Sequence, residues 1–358
     1  MKIRTLSPVH IGTGNENMAL QYKINGNSAY FYKLDDLLST VPPEKLVSGD
    51  FLNSITKSDS KATLDSIRRY IDYNKAKPKY TLGVYSKLET QPVFEQFKSL
   101  NMPFIPGSSI KGAIESIVCY SFIKKYFNRL NGYPTPLSIE GLLGKIMGVG
   151  KTDILKSVAA NLFCDDICFK ALGLYETVRA SKKGDIPVGF QECIDEGQVV
   201  TKVFYKFNGQ DQRLSNYAST IEKEFISMFK KENISKYVNE FTKDALSQDL
   251  SQKMVQYYYD TDLQDLKDDV DKYLGKIKSC PTNCCLLRIG KDTNCNFKGA
   301  MALLFKTKDF DYYKKNFNQF KTIGKVSPNT LPSTRTFFID EKGYYVAYPG
   351  FLEIDFND

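Results

Sequence analysis

The sequence predicts an α+β protein with a ferredoxin-like core, in the element order βαββαβ, that carries large helical insertions. Segments with strand-like and helix-like apolar spacing follow one another as strand, helix, strand, strand, helix and a late strand. That order is typical of a ferredoxin-like core. A chain of 358 residues has room for insertions, or for two to three small domains. Periodicity alone is also compatible with other topologies of these elements.

The first part of the chain predicts a strand over residues 1–12 that runs into a glycine loop at 10–16. The stretch SAYFYKLDDLL, residues 28–38, predicts a strand followed by the start of a helix. Residues 45–85 are mostly polar and include a helical patch, ATLDSIRRYIDY. We therefore expect insertions already within the first part of the core.

A turn and then a long helix, reaching about Phe127, are predicted by FIPGSSIKGAIES, residues 104–116. The Pro-Gly pair is typical of a turn, and Ser108 or Ser109 suits the N-cap. Lys111 lies in the first helical turn, where the helix dipole disfavours a cation, so it adds instead to an anion site. Apolar residues at helical spacing predict the buried face: Ile110, Ile114, Ile117, Val118 and Phe122.

The middle of the chain alternates between loops and strands. Glycine and proline in residues 131–153 predict loop with short helices, and residues 161–172 predict a buried strand. Residues 179–187 form a polar, basic segment that is typical of a loop. The stretches VGFQECI and QVVTKVFYKF predict two more strands, joined by a hairpin turn at Asp195-Glu196-Gly197.

The last part of the chain predicts helices and then a terminal hairpin. Residues 217–278 show helical apolar spacing, and the tail RTFFIDEKGYYVAYPGFLEIDF predicts a hairpin that turns at its Glu-Lys-Gly. We divide the chain into a core with insertions (1–216), a helical insertion (217–285), and a glycine-loop segment with C-terminal strands that complete the core (286–358).

Composition is that of a globular protein with a mild positive charge. Lys and Arg number 49 against 41 Asp and Glu, a net charge of +8 that permits a polyanionic partner without requiring one. The chain has no apolar run long enough for a membrane span and no signal peptide at its start, so we expect a cytoplasmic protein. Eight cysteines in such a chain favour free thiols over disulfides.

Two motifs that suggest cofactor chemistry have the wrong spacing. In GKIMGVGKT, residues 144–152, Gly144 is one position too early for a phosphate-binding P-loop and Lys145 takes the place of the required glycine. The late cysteines supply one close group but not the second pair of close ligands that is usual for zinc. They are Cys280, Cys284, Cys285 and Cys295. We therefore expect no cofactor and no metal.

The sequence offers no complete catalytic set. His10 is the only histidine, no nucleophile elbow accompanies it, and its position beside a glycine loop favours a role in holding that loop. Asp165 and Asp166 are the best pair for a metal-dependent nuclease, but neighbours on a strand point to opposite faces. We therefore expect a protein that is not an enzyme.

Three glycine loops, HIGTGNE, IPGSSIKG and RIGKDTNCNFKG, stand out, and two of them carry lysine. In such loops backbone N–H groups approach a ligand closely, which favours a phosphate backbone as the ligand. Each loop on its own is equally compatible with a plain tight turn. The candidate binding residues are His10, Gly12, Gly14, Gly107, Ser108, Ser109, Lys111, Gly112, Arg288, Gly290, Lys291 and Lys298.

These stretches resemble the RAMP superfamily of CRISPR-associated proteins and, within it, the family of fifth subunits of the type III-A Csm effector complex. LSPVHIGTGNE, Leu6 to Glu16, matches that family's L-x-P-V-H-I-G-x-G-x-E opening. Phe104 to Glu115 matches its F-I-P-G-S-S-[IL]-K-G-A-I-R motif, with Glu115 in place of the arginine. Later motifs follow in order as far as residue 353, although the loop after Arg288 lacks the family's later glycines.

The resemblance implies an RNA-recognition-motif-like core with inserted helices and a β-hairpin thumb. It implies a non-catalytic, RNA-binding subunit that caps the backbone filament, binds the guide crRNA near its 3′ end and contributes to crRNA maturation. The implied partners are crRNA, other Csm subunits (chiefly the backbone-filament RAMP subunit), target RNA and a host exonuclease. We place the thumb at 179–187, with Arg179, Lys182 and Lys183 as RNA-binding residues; a solvated basic loop is the alternative.

Two other functions stay open at this point. A RAMP endoribonuclease that processes the guide would need proton transfer, for which His10 is the available histidine. A backbone-filament RAMP subunit would polymerise rather than cap, and such subunits usually lack a helical insert like 217–278.

Overall fold

The computed structural model describes residues 1–49, 51, 61–85, 91–130, 139–149, 152–180, 186–250, 260–293, 297 and 335–357. Helices and strands are both abundant in these residues, which confirms the predicted α+β class. The helices are α1 (Leu34–Leu38), α2 (Pro43–Leu46), α3 (Lys61–Arg68), α4 (Gly107–Lys125), α5 (Ile139–Met147), α6 (Ile154–Ala160), α7 (Gln212–Ser215), α8 (Thr220–Ser227), α9 (Lys231–Asp249) and α10 (Asp260–Ser279).

The strands belong to several sheets. They are β1 (Lys2–Thr5), β2 (Gly12–Asn17), β3 (Tyr22–Asn25), β4 (Ser28–Phe31), β5 (Tyr80–Val84), β6 (Val93–Gln96), β7 (Lys98–Ser99), β8 (Met102–Ile105), β9 (Leu162–Cys164), β10 (Ile167–Cys168), β11 (Leu172–Ala180), β12 (Ile186–Ile194), β13 (Val199–Val200), β14 (Tyr205–Phe207), β15 (Cys284–Arg288), β16 (Arg335–Ile339), β17 (Tyr345–Ala347) and β18 (Phe351–Asp355).

The first and the last strands lie side by side at the centre of a four-stranded antiparallel sheet. Its order is β13-β1-β18-β15. Ile3 lies opposite Ile354, and Cys285 of β15 lies opposite Ile354 on its other side. All three side chains are buried in the main core, so this row marks the face of the sheet that the core covers.

Helix α9 closes the outer edge of this sheet with side chains. The amide of Asn239 donates to the Cys284 carbonyl at 2.9 Å and accepts from the Leu286 N–H at 3.0 Å. The hydroxyl of Thr242 donates to the Leu286 carbonyl at 2.7 Å. An uncovered strand edge invites pairing with other chains, and these bonds satisfy it. Helices α8, α9 and α10 also confirm the helical prediction for 217–278 within the described residues.

A larger sheet runs in the order β2-β6-β12-β11-β5-β4-β3, and β16 and β17 continue it from β11. Pairs β6–β12 and β5–β11 are parallel, and its other pairs are antiparallel. A second apolar core lies on this sheet and includes Phe31, Leu82, Val93 and Phe190. Much of the chain between β1 and α4 therefore builds a unit with its own core.

The long helix α4 follows the predicted pattern. Its five predicted apolar residues are all buried, and the helix ends at Lys125, two residues before the predicted end. The N-cap prediction is wrong: Pro106 is the N-cap residue and no side chain of the cap bonds to the helix. The Gly107 N–H instead donates to the Asp166 carboxylate at 2.8 Å. A carboxylate from a distant segment thus meets the positive end of the helix dipole.

The predicted hairpin between VGFQECI and QVVTKVFYKF is wrong. Strand β12 pairs with β11, the strand that precedes it in the chain, and Phe190 lies opposite Glu176. Strand β13 pairs with β1 instead. Residues 195–197 do turn, since Gly197 has φ +82° and its N–H donates to the Thr5 carbonyl. This turn carries the chain from one sheet to the other, which local spacing does not reveal.

Of two further strand predictions, one is wrong and one is confirmed. The single strand predicted over residues 161–172 is interrupted, and β9 and β10 are two short strands, because Asp165 and Asp166 between them bond to other segments. The terminal hairpin is confirmed: β16 pairs with β17, with Phe338 opposite Ala347. Its turn is held by Asp340, whose carboxylate accepts from two backbone N–H groups.

Candidate nucleic-acid interface

The three glycine loops of the sequence contribute residues to one cleft of about 520 Å³, although the first is strand from Gly12 onward and the second is helix from Gly107 onward. The first loop contributes its residues at 10–15, the start of α4 contributes Ser109, and the loop after β15 contributes its residues at 289–291. Strand β6 adds one aromatic side chain. The lining residues are His10, Ile11, Gly12, Gly14, Asn15, Phe94, Ser109, Ile289, Gly290 and Lys291.

His10 lies at the base of this cleft, and its side chain is 3% exposed. Its Nδ1 lies 2.8 Å from the carbonyl oxygen of Glu192. Burial lowers the pKa of His10 to about 4, and the positive charges of Lys291 and Lys98 act in the same direction. The imidazole is therefore neutral at pH 7, and its contact with a carbonyl fits the predicted role of holding the loop.

Gln96 ties the first loop to the segment that leads into α4. Its side-chain oxygen accepts from the Ile11 N–H at 2.7 Å, and its side-chain nitrogen donates to the Phe104 carbonyl at 3.0 Å. Gln96 is fully buried, where both bonds are needed to offset desolvation of the amide. Two of the three glycine loops are thus held at a fixed separation by one side chain.

The third loop is held directly on the first. The Lys291 N–H donates to the His10 carbonyl at 3.1 Å. Gly290 has φ +108°, and a Cβ on it would lie 2.5 Å from that carbonyl oxygen. Only glycine allows the two backbones to come this close.

Lys291 and Phe94 supply charge and an aromatic face to the cleft. The Lys291 side chain is exposed, and its ammonium lies over the Phe94 ring, 2.8 Å from the centroid. Val93 is buried in the second core, so strand alternation turns Phe94 toward the cleft. A cation and a stackable ring side by side suit a nucleic-acid backbone and its bases.

A buried ion pair lies behind His10, and the sequence analysis missed it. Glu192 is fully buried and accepts from the Lys98 ammonium at 2.5 Å, the Tyr80 hydroxyl at 2.5 Å and the Gln96 N–H at 2.9 Å. Burial lowers the pKa of Lys98, and the negative charge of Glu192 opposes that shift. The signal was present in the sequence: on β12, Glu192 lies between Phe190 and Ile194 on one face, and both are buried.

At the start of α4, Ser109 lines the cleft but Lys111 does not. Lys111 is half-buried and lies one helical turn from Glu115. Burial raises the pKa of Glu115, and the charge of Lys111 acts against that rise. Gly107 is closely packed, since a Cβ there would overlap the Cys164 carbonyl, while Ser108 and Gly112 are exposed.

Other predicted binding residues lie elsewhere. Arg288 is buried: its Nε donates to the Pro349 carbonyl at 2.8 Å, and its guanidinium stacks on the Tyr348 ring at 3.7 Å. Its Nη2 donates to the Asp292 carbonyl at 3.1 Å, so Arg288 stabilises the third loop. Arg179 is exposed near the end of β11, opposite Ile186. The basic tip of the candidate thumb and the last loop lysine lie outside the described residues: Lys182, Lys183 and Lys298.

The aspartate pair has structural partners. Asp166 accepts from the Gly107 N–H, and Asp165 accepts from the Phe204 N–H at 3.2 Å. Gly144 and Lys145 of the P-loop-like stretch lie within helix α5. In the part of the chain that the structure describes, there is no group of three His, Cys, Asp or Glu side chains that could hold a metal ion. Cys295 is outside that part.

A family model described as the RAMP superfamily matches residues 2–295. Two curated proteins, each named CRISPR system Cms protein Csm5, come from two strains of Mycobacterium tuberculosis. Each is 24% identical to the chain over 149 residues, which is 35% of this chain and 39% of the relative. The match therefore spans well under half the length of these relatives.

Two solved structures share the fold. One is a chain of a cryo-EM structure of a Csm-crRNA-target RNA ternary complex of a type III-A CRISPR-Cas system, with a TM-score of 0.66, 16% identity and 98% of both chains covered. The other is a crystal structure of T. onnurineus Csm5, with a TM-score of 0.58, 16% identity and coverage of 99% of this chain and 100% of that chain.

Within the described residues, no helix is both long and apolar enough to cross a bilayer.

Proposed function

Because this chain belongs to the RAMP superfamily, we propose that it is a non-catalytic, RNA-binding subunit of a type III-A CRISPR (Csm) ribonucleoprotein. In this role it caps the backbone filament, binds the guide crRNA near its 3′ end and takes part in crRNA maturation. The similarity to Csm5 and the fold shared with a chain of a Csm-crRNA-target RNA complex support this assignment.

The observation that carries the proposal is the convergence of three glycine loops on one cleft. The Lys291 ammonium suits phosphate oxygens, and Phe94 offers a ring for stacking. These contacts position a strand without reading its bases. A guide-binding subunit needs this property, because it must accept any spacer sequence.

The partners in this proposal are the crRNA, the other Csm subunits and target RNA. The backbone-filament RAMP subunit is the chief protein neighbour, and a host exonuclease trims the guide. Arg179, near the end of β11 where that strand pairs with both β12 and β16, lies at the base of the proposed thumb. The proposal is non-catalytic because the lowered pKa of His10, about 4, makes its imidazole a weak base, and Lys98 is paired with Glu192.

A cross-linking experiment on the whole complex tests this proposal. The photo-reactive residue p-benzoylphenylalanine replaces Phe94 in the cleft, or Tyr344 as a control, which is 69% exposed on the β16–β17 turn. We expect the complex to carry crRNA, with cross-links from position 94 concentrated near the guide's 3′ end and few from position 344. Cross-links spread along the guide would favour a backbone-filament subunit. RNA products that disappear in His10→Ala would favour an endoribonuclease.

A further inference from the structure

His10 leaves one polar atom without a partner at the cleft. Its Nε2 is buried and has no hydrogen-bond partner among the described residues. Buried polar atoms in native proteins are nearly always bonded, so an exception calls for a reason. The residue lines the cleft and is 97% buried, since its exposed fraction is 3%.

The protonation state of Nδ1 determines whether Nε2 can donate or accept a hydrogen bond. A backbone carbonyl only accepts, so the contact with Glu192 requires the proton to be on Nδ1. In the neutral ring, Nε2 then has a lone pair and no hydrogen. The cleft therefore combines a donor, the Lys291 ammonium, with one buried acceptor. A phosphate satisfies the ammonium, but it has no hydrogen for Nε2.

We infer that Nε2 of His10 accepts a hydrogen bond from a ribose 2′-hydroxyl of the bound strand, and that the cleft thereby selects RNA over DNA. This inference rests on the proposed function and adds the group that is recognised. In a diester backbone the phosphate and ring oxygens only accept, and the 2′-hydroxyl is the repeating donor. It is also the group that lets a protein distinguish RNA from DNA independently of sequence.

Gly12 controls the approach to Nε2. A Cβ on Gly12 would lie 2.8 Å from Nε2, so a side chain there would cover the nitrogen. Gly12 and Glu16 both pair with β6, and the register shifts between them, so the intervening residues bulge out of the ladder. A bulge re-aims the backbone locally, and in this inference the hydroxyl approaches Nε2 past residues 13–15.

A direct test uses the fact that the chain has one histidine. Protein labelled with 15N in histidine gives one pair of ring-nitrogen NMR signals, and we expect those of a neutral ring with the proton on Nδ1. Single-stranded RNA should shift the Nε2 signal. DNA of the same sequence, and RNA with 2′-O-methyl groups, should bind without that shift. Equal shifts with RNA and DNA would overturn the inference.

Binding measurements separate this inference from the proposed function. We expect the wild type to bind mixed-sequence RNA about tenfold more tightly than DNA of the same sequence, the scale of one hydrogen bond to a buried acceptor. Gly12→Ala should remove most of that ratio. Gly275→Ala, in helix α10 with open space around the Cβ position, is the control and should keep it. If neither nucleic acid binds, the proposed function fails; if both bind equally to the wild type, this inference alone fails.

Discussion

The backbone N–H of Lys291 donates to the carbonyl oxygen of His10, and this bond joins the loop after β15 to the loop after β1. The two loops lie far apart in the sequence. Between them they contribute most of the residues that line the cleft. The binding surface therefore depends on this contact, which Gly290 makes possible.

Replacing Gly290 should disturb the cleft. Gly290→Ala forces a side chain into a φ of +108° and places its Cβ against the His10 carbonyl. We expect the free energy of unfolding to fall by about 1–3 kcal/mol, with weaker RNA binding. Gly343→Ala is the matched control, because its φ is +83° and nothing surrounds its Cβ position. Denaturant unfolding and RNA titration check both variants, and equal losses of RNA affinity would contradict the role of the contact.

The single histidine should give the protein a pH-dependent stability. The folded-state pKa of His10 is about 4, below its ordinary value of 6.5, so between these two values the unfolded chain binds the proton more tightly. The free energy of unfolding therefore falls as pH falls through that window, by on the order of 3 kcal/mol in total, and the full contribution is present above pH 6.5.

The comparison variant for this pH effect is His10→Asn, which cannot titrate in this range. Urea unfolding of both proteins at several pH values between 7 and 4 isolates the contribution of the histidine from that of the carboxylates. The stability difference between wild type and variant should shrink as pH falls. A difference that stays constant over this range would show that His10 is not buried in its neutral form.

The buried pair of Lys98 and Glu192 should show strong coupling. Their side chains are 7% and 0% exposed, so Lys98→Met or Glu192→Gln removes one charge of a buried ion pair. Each single change should cost about 3–5 kcal/mol. The double variant should cost less than the sum of the two. Lys156→Ala, which removes an exposed pair with Asp153, should leave the unfolding midpoint unchanged. Strictly additive costs in the buried pair would contradict the coupling.

The sequence predicted features that depend on local spacing. The apolar face of α4, the terminal hairpin and the helices within 217–278 were all correct in the described residues. The pairing of β12 with β11 was not, because strand pairing depends on contacts that the local pattern does not encode. The N-cap of α4 failed for the same reason: Asp166 reaches Gly107 from another part of the chain.

For the candidate site, too, local features were predictable from the sequence and long-range contacts were not. Each glycine loop stood out in the sequence, yet their meeting at one cleft arises from contacts across the fold, such as Gln96 with Ile11. Arg288 looked available for RNA because its charge is visible in the sequence, whereas its stacking on Tyr348 is not. Glu192 was the residue that spacing could have found, since a carboxylate between two buried neighbours needs a buried partner.

The contact between Asp166 and α4 should stabilise the helix. Asp166→Ala removes the acceptor for the Gly107 N–H and should lower the free energy of unfolding by about 1 kcal/mol, the usual effect of losing a cap. Asp166→Asn keeps an acceptor oxygen and should retain most of the stability. Thermal unfolding with and without magnesium checks this. If magnesium stabilised the wild type but not Asp166→Ala, the carboxylate would be a metal ligand rather than a cap.

The two lysines near the cleft should differ in their effect on RNA binding. Lys291 lines the cleft, so Lys291→Gln should weaken binding about equally for unrelated sequences and lower the salt slope by roughly one counterion. Lys111 lies beside Glu115, outside the lining residues. Lys111→Gln should weaken binding in the same sequence-independent way, but less, because its charge acts on the phosphate from a greater distance.

The control for both lysines is Lys278→Gln, which is exposed on α10 and does not line the cleft. Each variant removes one positive charge, so a loss caused by net charge alone would be equal in all three. Affinity for RNA at several salt concentrations measures the slopes. If Lys291→Gln binds no more weakly than Lys278→Gln, the cleft is not where the phosphate backbone lies. If Lys111→Gln has the larger effect, the phosphate is bound at the start of α4 on the side of Glu115.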